Sequence, residues 1–291
     1  MSAKLNNEPL VSVIMTSYNY ARLIGSAVES VMAQDYQNWE LIIADDGSVD
    51  NSVDLINGFI GLDGRISLLT HPCSINKGLA ETIRLAMGKA RGDIIAFLES
   101  DDEWCPHNLS EKVGAIAGDT RTAAVFSSIE LTGESIQAKY VDYLTYIAWA
   151  GPKMNRLNEP MRQSLVFMRN PAATFSNMVF KKDALQGFAY DTQFEKWLDW
   201  QFIIYAAMNG TINYIPKPLV KWRIHSGSLH YRHMKSGGSN GMLSQRAKFI
   251  QNQCQKYNLS INKLRLFCLN LEFALKHPCI AARKVLNPGG Y

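Results

Sequence analysis

The chain has 291 residues, 47% of them hydrophobic and 19% charged, which suits one large or two small globular domains and excludes a disordered chain. Its net charge of +4 is unevenly placed: residues 241–291 carry eight basic side chains (Arg246, Lys248, Lys256, Lys263, Arg265, Lys276, Arg283, Lys284) against Glu272, a balance of +7 that leaves 1–240 at −3. An acidic body with a basic tail points to an anionic surface as partner (a membrane, a phosphorylated lipid or another protein), with a solvated helix face as the plainer reading and no nucleic acid expected.

No apolar run approaches the roughly 18 residues that span a bilayer, and the first ten residues lack the basic start and apolar core of a signal peptide. The cysteines (Cys73, Cys105, Cys254, Cys268, Cys279) are scattered and show no CxxC spacing. They read as reduced thiols of a cytoplasmic protein, without structural zinc.

In chain order, the apolar run 11–15 predicts a first strand, followed by Thr16-Ser17-Tyr18-Asn19-Tyr20 and a helix with Leu23, Ile24, Ala27, Val28, Val31 and Met32 at helical spacing. A second strand, 39–44, ends in Asp45-Asp46-Gly47-Ser48; Gly47 permits a tight turn, and Ser48 or Asp50 is placed to cap the next helix. A third strand, 66–69, leads through Asn76-Lys77-Gly78 into a helix to about residue 89. The fourth, 93–98, is a buried strand that stops abruptly at Glu99, Ser100, Asp101, Asp102 and Glu103. Four carboxylates at a strand's C-terminal end repel one another unless a cation sits among them. They read either as a divalent-metal site or as a solvated acidic turn capping the helix near Pro106. The strand–helix alternation predicts an α/β fold with a mostly parallel sheet. No G-x-G-x-x-G follows the first strand and no P-loop is present, which argues against a nicotinamide dinucleotide site.

The second half is less regular. Residues 123–128 and 173–180 read as strands, 198–207 as a buried helix ending near Asn209-Gly210, and 212–215 and 219–223 as short strands around Pro216 and Pro218. Residues 134–172 have no clear period and are assigned to acceptor recognition. From Met242 onward the pattern is helical and basic.

In this order, VSVIMTSYN (11–19), ELIIADDGSVDNS (40–52), NKGL (76–79), GDIIAFLESDDEW (92–104), LDWQFIIYAAMNG (198–210) and NYIPKPLVKWRIH (213–225) resemble family-2 glycosyltransferases of the GT-A fold. The resemblance covers about three quarters of the chain. It implies a GT-A domain over 1–230, with a nucleotide-binding half at about 9–130 and an acceptor half at about 131–230, and a basic helical extension over 231–291. It also implies an inverting, metal-dependent hexosyltransferase that uses a nucleotide-sugar donor, a uridine diphosphate sugar first, and a saccharide or lipid-linked saccharide acceptor. Thr16 and Tyr18 then line the nucleotide pocket, Asp45 accepts a hydrogen bond from the base, and Asp46 and Ser48 support the turn. Glu99 stands where the family's Asp-x-Asp motif has its first Asp; it and Ser100 contact the donor, while Asp101 ligates Mn2+ or Mg2+. Asp102 is a second ligand or a helix cap. Asp199, followed by Trp200, is the general base, with Glu195 as a fallback. Arg223 closes over the diphosphate, His225 joins the metal, and Trp222 stacks on the acceptor or packs.

A nucleotidyltransferase would need a Gly-rich basic first loop, but residues 16–22 hold one Arg and no Gly. The other rival is a non-catalytic glycan-binding or assembly protein on a degenerate fold, suggested by Glu99 and by Leu198, which stands where a Glu is common. The expected location is the cytoplasm, with the basic tail available for peripheral contact at the inner face of the membrane.

Overall fold

The computed structural model describes residues 8–134, 138–228 and 239–258. In chain order the first half runs β1 (Val11–Ser17), α1 (Ile24–Met32), β2 (Trp39–Asp45), α2 (Ser52–Leu62), β3 (Ile66–Thr70), α3 (Leu79–Met87), β4 (Ile94–Phe97), β5 (Glu103–Trp104) and α4 (Asn108–Ala117). The second half runs β6 (Thr122–Gly133), α5 (Ala138–Met154), α6 (Glu159–Met168), β7 (Val179–Lys181), α7 (Leu198–Asn209), β8 (Thr211–Ile224) and α8 (Ser239–Lys256). The strands form one sheet in the order β3-β2-β1-β4-β7-β6-β8-β5.

Strand direction decides where chemistry gathers. β1–β2, β2–β3, β1–β4 and β6–β8 are parallel pairs, whereas β4–β7, β6–β7 and β5–β8 are antiparallel. Two successive antiparallel steps through β7 return β6, and hence β8, to the direction of β4. The C-terminal ends of β1, β2, β4 and β8 therefore share one edge of the sheet. Chain order reverses between β1 and β4, and a crevice opens at such a switch point. Apolar side chains bury most of β1, β2 and β4, apart from the Ser12–Glu40 pair near the far ends of β1 and β2, so at this edge polar side chains emerge where the strands end.

The structure revises several expected elements. Residues 134–172 hold two helices, α5 and α6, of mixed polarity; Tyr140, Tyr146, Trp149 and Phe167 are buried at positions that mask a clean period. The strand expected over 173–180 is confined to β7; Thr174 to Asn177 form a short 3-10 turn held by their own side chains. The two short strands near Pro216 and Pro218 are one strand, β8, whose register slips against Ser127 and Ser128 where proline supplies no N–H. α8 joins the body: Phe249 is buried, with ring centroids 5.1 Å from both Trp197 and Trp200. Arg246 donates to the Met168 carbonyl and Lys256 to the Ala189 carbonyl at 3.0 Å. Lys263, Arg265, Lys276, Arg283 and Lys284 lie outside the described residues. Among the described residues no helix is long and apolar enough to cross a membrane.

Candidate active site

The first wall of the crevice is two loops laced together. Asn19 N donates to Ser48 Oγ (2.8 Å), Val49 N to Asn19 Oδ1 (2.8 Å), and Tyr20 N to Ser52 Oγ (3.0 Å). Asp45 turns inward and accepts from Gly47 N (3.1 Å), Ser48 N (2.8 Å) and Ser48 Oγ (2.5 Å). A carboxylate has about four acceptor positions, so Asp45 keeps about one for a ligand. Asp46 reaches across to Lys77 N (2.6 Å) and Gly78 N (3.0 Å), fixing the loop before α3. Gly47 has φ +81°, and a Cβ there would lie 2.4 Å from the Ser74 carbonyl oxygen, which explains glycine in this turn. Neither expected cap stands at the N-cap of α2, which is Asn51; Asp50, one residue earlier, accepts from Ser52 N at 3.0 Å, and Ser48 bonds within its own turn. Thr16 is half-buried at the end of β1, and Tyr18 beyond it is exposed.

The second wall is the acidic end of β4. Glu99 Oε2 accepts from Thr174 Oγ1, Asp102 Oδ2 from Ser176 Oγ (2.6 Å), and Asp102 Oδ1 from Arg223 N (2.9 Å). Asp102 is buried, so it is no solvated turn residue, and it does not cap α4, whose N-cap position is His107. Asp101 Oδ2 lies 3.0 Å from His225 Nε2. The Arg223 guanidinium donates to the Asp101 carbonyl (2.9 Å) and pairs with Glu103. Ser100 is buried within the same turn. Burial, then the charge of Asp101, pushes Glu99 up to about 8, and burial with the charges of Asp101 and Glu99 raises Asp102 as well. Among the described residues no group of three or more His, Cys, Asp or Glu converges as a metal cage; Asp101 and His225 lie side by side at this edge.

Across the crevice, Asp199 sits in the first turn of α7. It accepts from Asn170 Nδ2 (2.7 Å) and from Trp200 N (2.7 Å), one of the N–H groups in the helix's first turn. Burial pushes its carboxyl up to about 7, and its charge is among those that raise Glu99. Leu198 is buried in the core, where a carboxylate would be stranded. Glu195 serves the fold instead, because its Oε1 accepts from Ala80 N at 3.0 Å and satisfies an orphan donor at the start of α3. Trp222 is buried edge-on against Tyr140 (5.5 Å) and Tyr143 (5.9 Å), so it packs.

Sequence reasoning missed Asn170, Thr174 and Ser176. Their signal is a cluster of small polar residues inside an otherwise apolar stretch, 165–180, which an extended-strand reading absorbs.

The profile of glycosyl transferase family 2 matches residues 12–188. A Haemophilus influenzae protein called an uncharacterized glycosyltransferase is 34% identical over 187 residues, covering 62% of this chain and 73% of that protein. The Escherichia coli UDP-Glc:alpha-D-GlcNAc-diphosphoundecaprenol beta-1,3-glucosyltransferase WfgD is 36% identical over 132 residues, covering 45% of this chain and 51% of that protein. Among solved structures, S. aureus TarS 1-349 in complex with UDP-GlcNAc superposes with a TM-score of 0.65 at 15% identity, over 92% of this chain and 73% of that one. The mannosyltransferase PcManGT from Pyrobaculum calidifontis, in complex with GDP-Man and Mn2+, gives 0.62 at 17% identity, over 98% of this chain and 82% of that one. These two likenesses concern the fold, which is GT-A. With the family profile spanning more than half its length, the chain belongs to glycosyl transferase family 2.

Proposed function

We infer that the protein transfers a sugar from a uridine diphosphate sugar to a hydroxyl of a surface glycan, lipid-linked saccharide or lipopolysaccharide, with inversion at the anomeric carbon. The observation that carries this reading is Asp199, oriented by Asn170, held at about 7, and close enough to the acidic end of β4 for Glu99 to feel its charge. A base with a pKa near neutrality is both ionised and proton-accepting at working pH. Asp199 takes the acceptor hydroxyl's proton as that oxygen attacks the anomeric carbon, while the bond to the diphosphate breaks with its electron pair on the phosphate oxygen.

Asp101 and His225 offer an oxygen and a nitrogen 3.0 Å apart, a donor set that fits Mn2+ or Mg2+, which also take substrate phosphates and water. When bound, such an ion neutralises charge on the departing diphosphate. Arg223 adds fixed positive charge at the same edge. Thr16, Tyr18 and the remaining acceptor position of Asp45 are assigned to the base and ribose, and Glu99 and Ser100 to the donor beside the ion. The donors and acceptor printed in the names of WfgD and TarS support this choice of substrates. A peripheral membrane position for the basic tail goes with a lipid-linked acceptor; charge reversal at Lys263, Arg265, Arg283 and Lys284 should then weaken liposome binding.

The test is uridine diphosphate release from a panel of sugar nucleotides, with Mn2+, Mg2+ or chelator, for wild type, Asp101→Ala and Asp199→Ala. Metal-dependent release from one donor, lost in both variants, is the expected result. Release that survives chelator or Asp101→Ala would remove the metal assignment.

A further inference from the structure

The turn 174–177 lies on no expected site, yet its side chains end on the carboxylates of the donor edge. Thr174 Oγ1 donates to Glu99 Oε2. Ser176 Oγ donates to Asp102 Oδ2 (2.6 Å) and accepts from Glu99 N (2.9 Å). The turn is anchored from behind. Asn177 Oδ1 accepts from Ser127 N (3.0 Å) and Ser127 Oγ (2.7 Å), while its Nδ2 donates to the carbonyls of Ser127 (2.8 Å) and Ala172 (3.0 Å). Trp104 Nε1 donates to the Ser176 carbonyl at 2.8 Å. Lys112, fully buried on α4, donates to the Asn177 carbonyl at 3.0 Å. Buried hydroxyls need partners, but backbone carbonyls would satisfy them equally well. Here two hydroxyls of one turn take two carboxylates of one site, and each leaves the second carboxylate oxygen to other partners. Glu99 reaches Thr174 with a side chain one methylene longer than the Asp that the family motif carries at this position.

We propose that Thr174 and Ser176 are positioning residues for the donor-site carboxylates, and that Thr174 and Glu99 form a matched pair in which the hydroxyl sets the direction of the longer acid. This rests on the assignment of the acidic edge to nucleotide binding. It explains why a Glu is serviceable at position 99: the fixed hydroxyl removes the rotational freedom that the extra methylene adds. A shorter Asp at 99 withdraws from Thr174, and an apolar residue at 174 releases Glu99.

The test is a double-mutant cycle with Glu99→Asp and Thr174→Val, read by calorimetric titration of uridine diphosphate with Mn2+ and by donor turnover, with melting temperature as the check on folding. Each single variant should weaken nucleotide binding about tenfold, and the double variant should be no worse than either single, because both break one contact. Thr174→Ser should return within about twofold of wild type, since it keeps the hydroxyl. Should Thr174→Val fail to fold, Glu99→Asp, which removes no volume from the turn, carries the same readout against Thr174→Ser. Folded Thr174→Val or Glu99→Asp with wild-type nucleotide affinity overturns the proposal, as do single effects that multiply in the double variant. Wild-type protein that binds no nucleotide with any divalent cation takes down the donor-site assignment and this inference together; unchanged binding in the variants alone takes down only the inference.

Discussion

Asp199→Asn separates the catalytic use of this carboxyl from what it costs the fold. Burial raises Asp199 to about 7 even though Asn170 and Trp200 N both favour its charged form. The folded protein therefore holds a proton that the unfolded chain has already released, so stability falls as pH rises from the ordinary carboxylate value through about 7. Asparagine is neutral and removes the pH-dependent part of that penalty, at the cost of one accepted hydrogen bond, because Asn170 Nδ2 and Trp200 N engage both oxygens of Asp199. The variant's unfolding free energy relative to wild type should be higher at pH 8.5 than at pH 5 by roughly 3 kcal/mol, from roughly 1.4 kcal/mol for each tenfold in proton affinity. Urea unfolding of both proteins at the two pH values measures it. In the same preparations kcat should fall by about 100-fold or more, the usual scale for a lost general base. A stability difference between variant and wild type that does not change between the two pH values would refute the assigned burial cost. A variant that keeps kcat within a few-fold would refute the base.

Other substitutions test single contacts. Glu195→Ala removes the carboxylate on Ala80 N and should cost about 1 kcal/mol, lowering the melting temperature by about 3 °C, with kcat kept; collapse of kcat at unchanged stability would instead make Glu195 a catalytic acid–base. Trp222→Ala should destabilise by about 3 kcal/mol in urea unfolding, because the ring is packed on Tyr140 and Tyr143. Gly47→Ala forces a Cβ to within 2.4 Å of the Ser74 oxygen at positive φ and should cost about 2 kcal/mol, together with weaker nucleotide binding.

What was legible in the sequence follows from how local the determinants are. β1, β2 and β4 announce themselves because burial on both faces demands unbroken apolar runs, and Asp45, Glu99 and Asp101 stand out because charge appears where those runs stop. The place of Asp199 at the start of a helix was legible from the apolar run that follows it. The roles inside the turns were not. Asp45 spends three acceptor positions on Gly47 and Ser48, and Asp102 is sealed by Ser176 and Arg223 N, contacts that no spacing encodes. The turn 174–177 reads as a strand because small polar residues in an apolar run look alike whether they alternate across a sheet or fold back on a carboxylate. Glu195 looked like a spare acid because its partner, Ala80 N, is 115 residues away in the chain.

Three carboxyls converge on one crevice, and burial raises each: Glu99 to about 8, Asp199 to about 7, and Asp102 upward as well. All three act in the same direction: they cost no stability below the ordinary carboxylate range, and the penalty grows as pH climbs from that range towards 8. A cation bound with its nucleotide at Asp101 and His225, as proposed, would favour the charged forms of its neighbours and should return part of that loss. The wild-type melting temperature should thus fall between about pH 5 and about pH 8, and uridine diphosphate with Mn2+ should raise it more at the higher pH than at the lower. With uridine diphosphate and Mn2+ held at one fixed concentration, the increment is set by RT ln(1 + [L]/Kd), so a larger increment at the higher pH reports tighter binding there, as coupling to ionised carboxyls requires. Equal increments at the two pH values would mean that the ion does not act on Glu99 and Asp102, and the acidic end of β4 would then have to be explained without it.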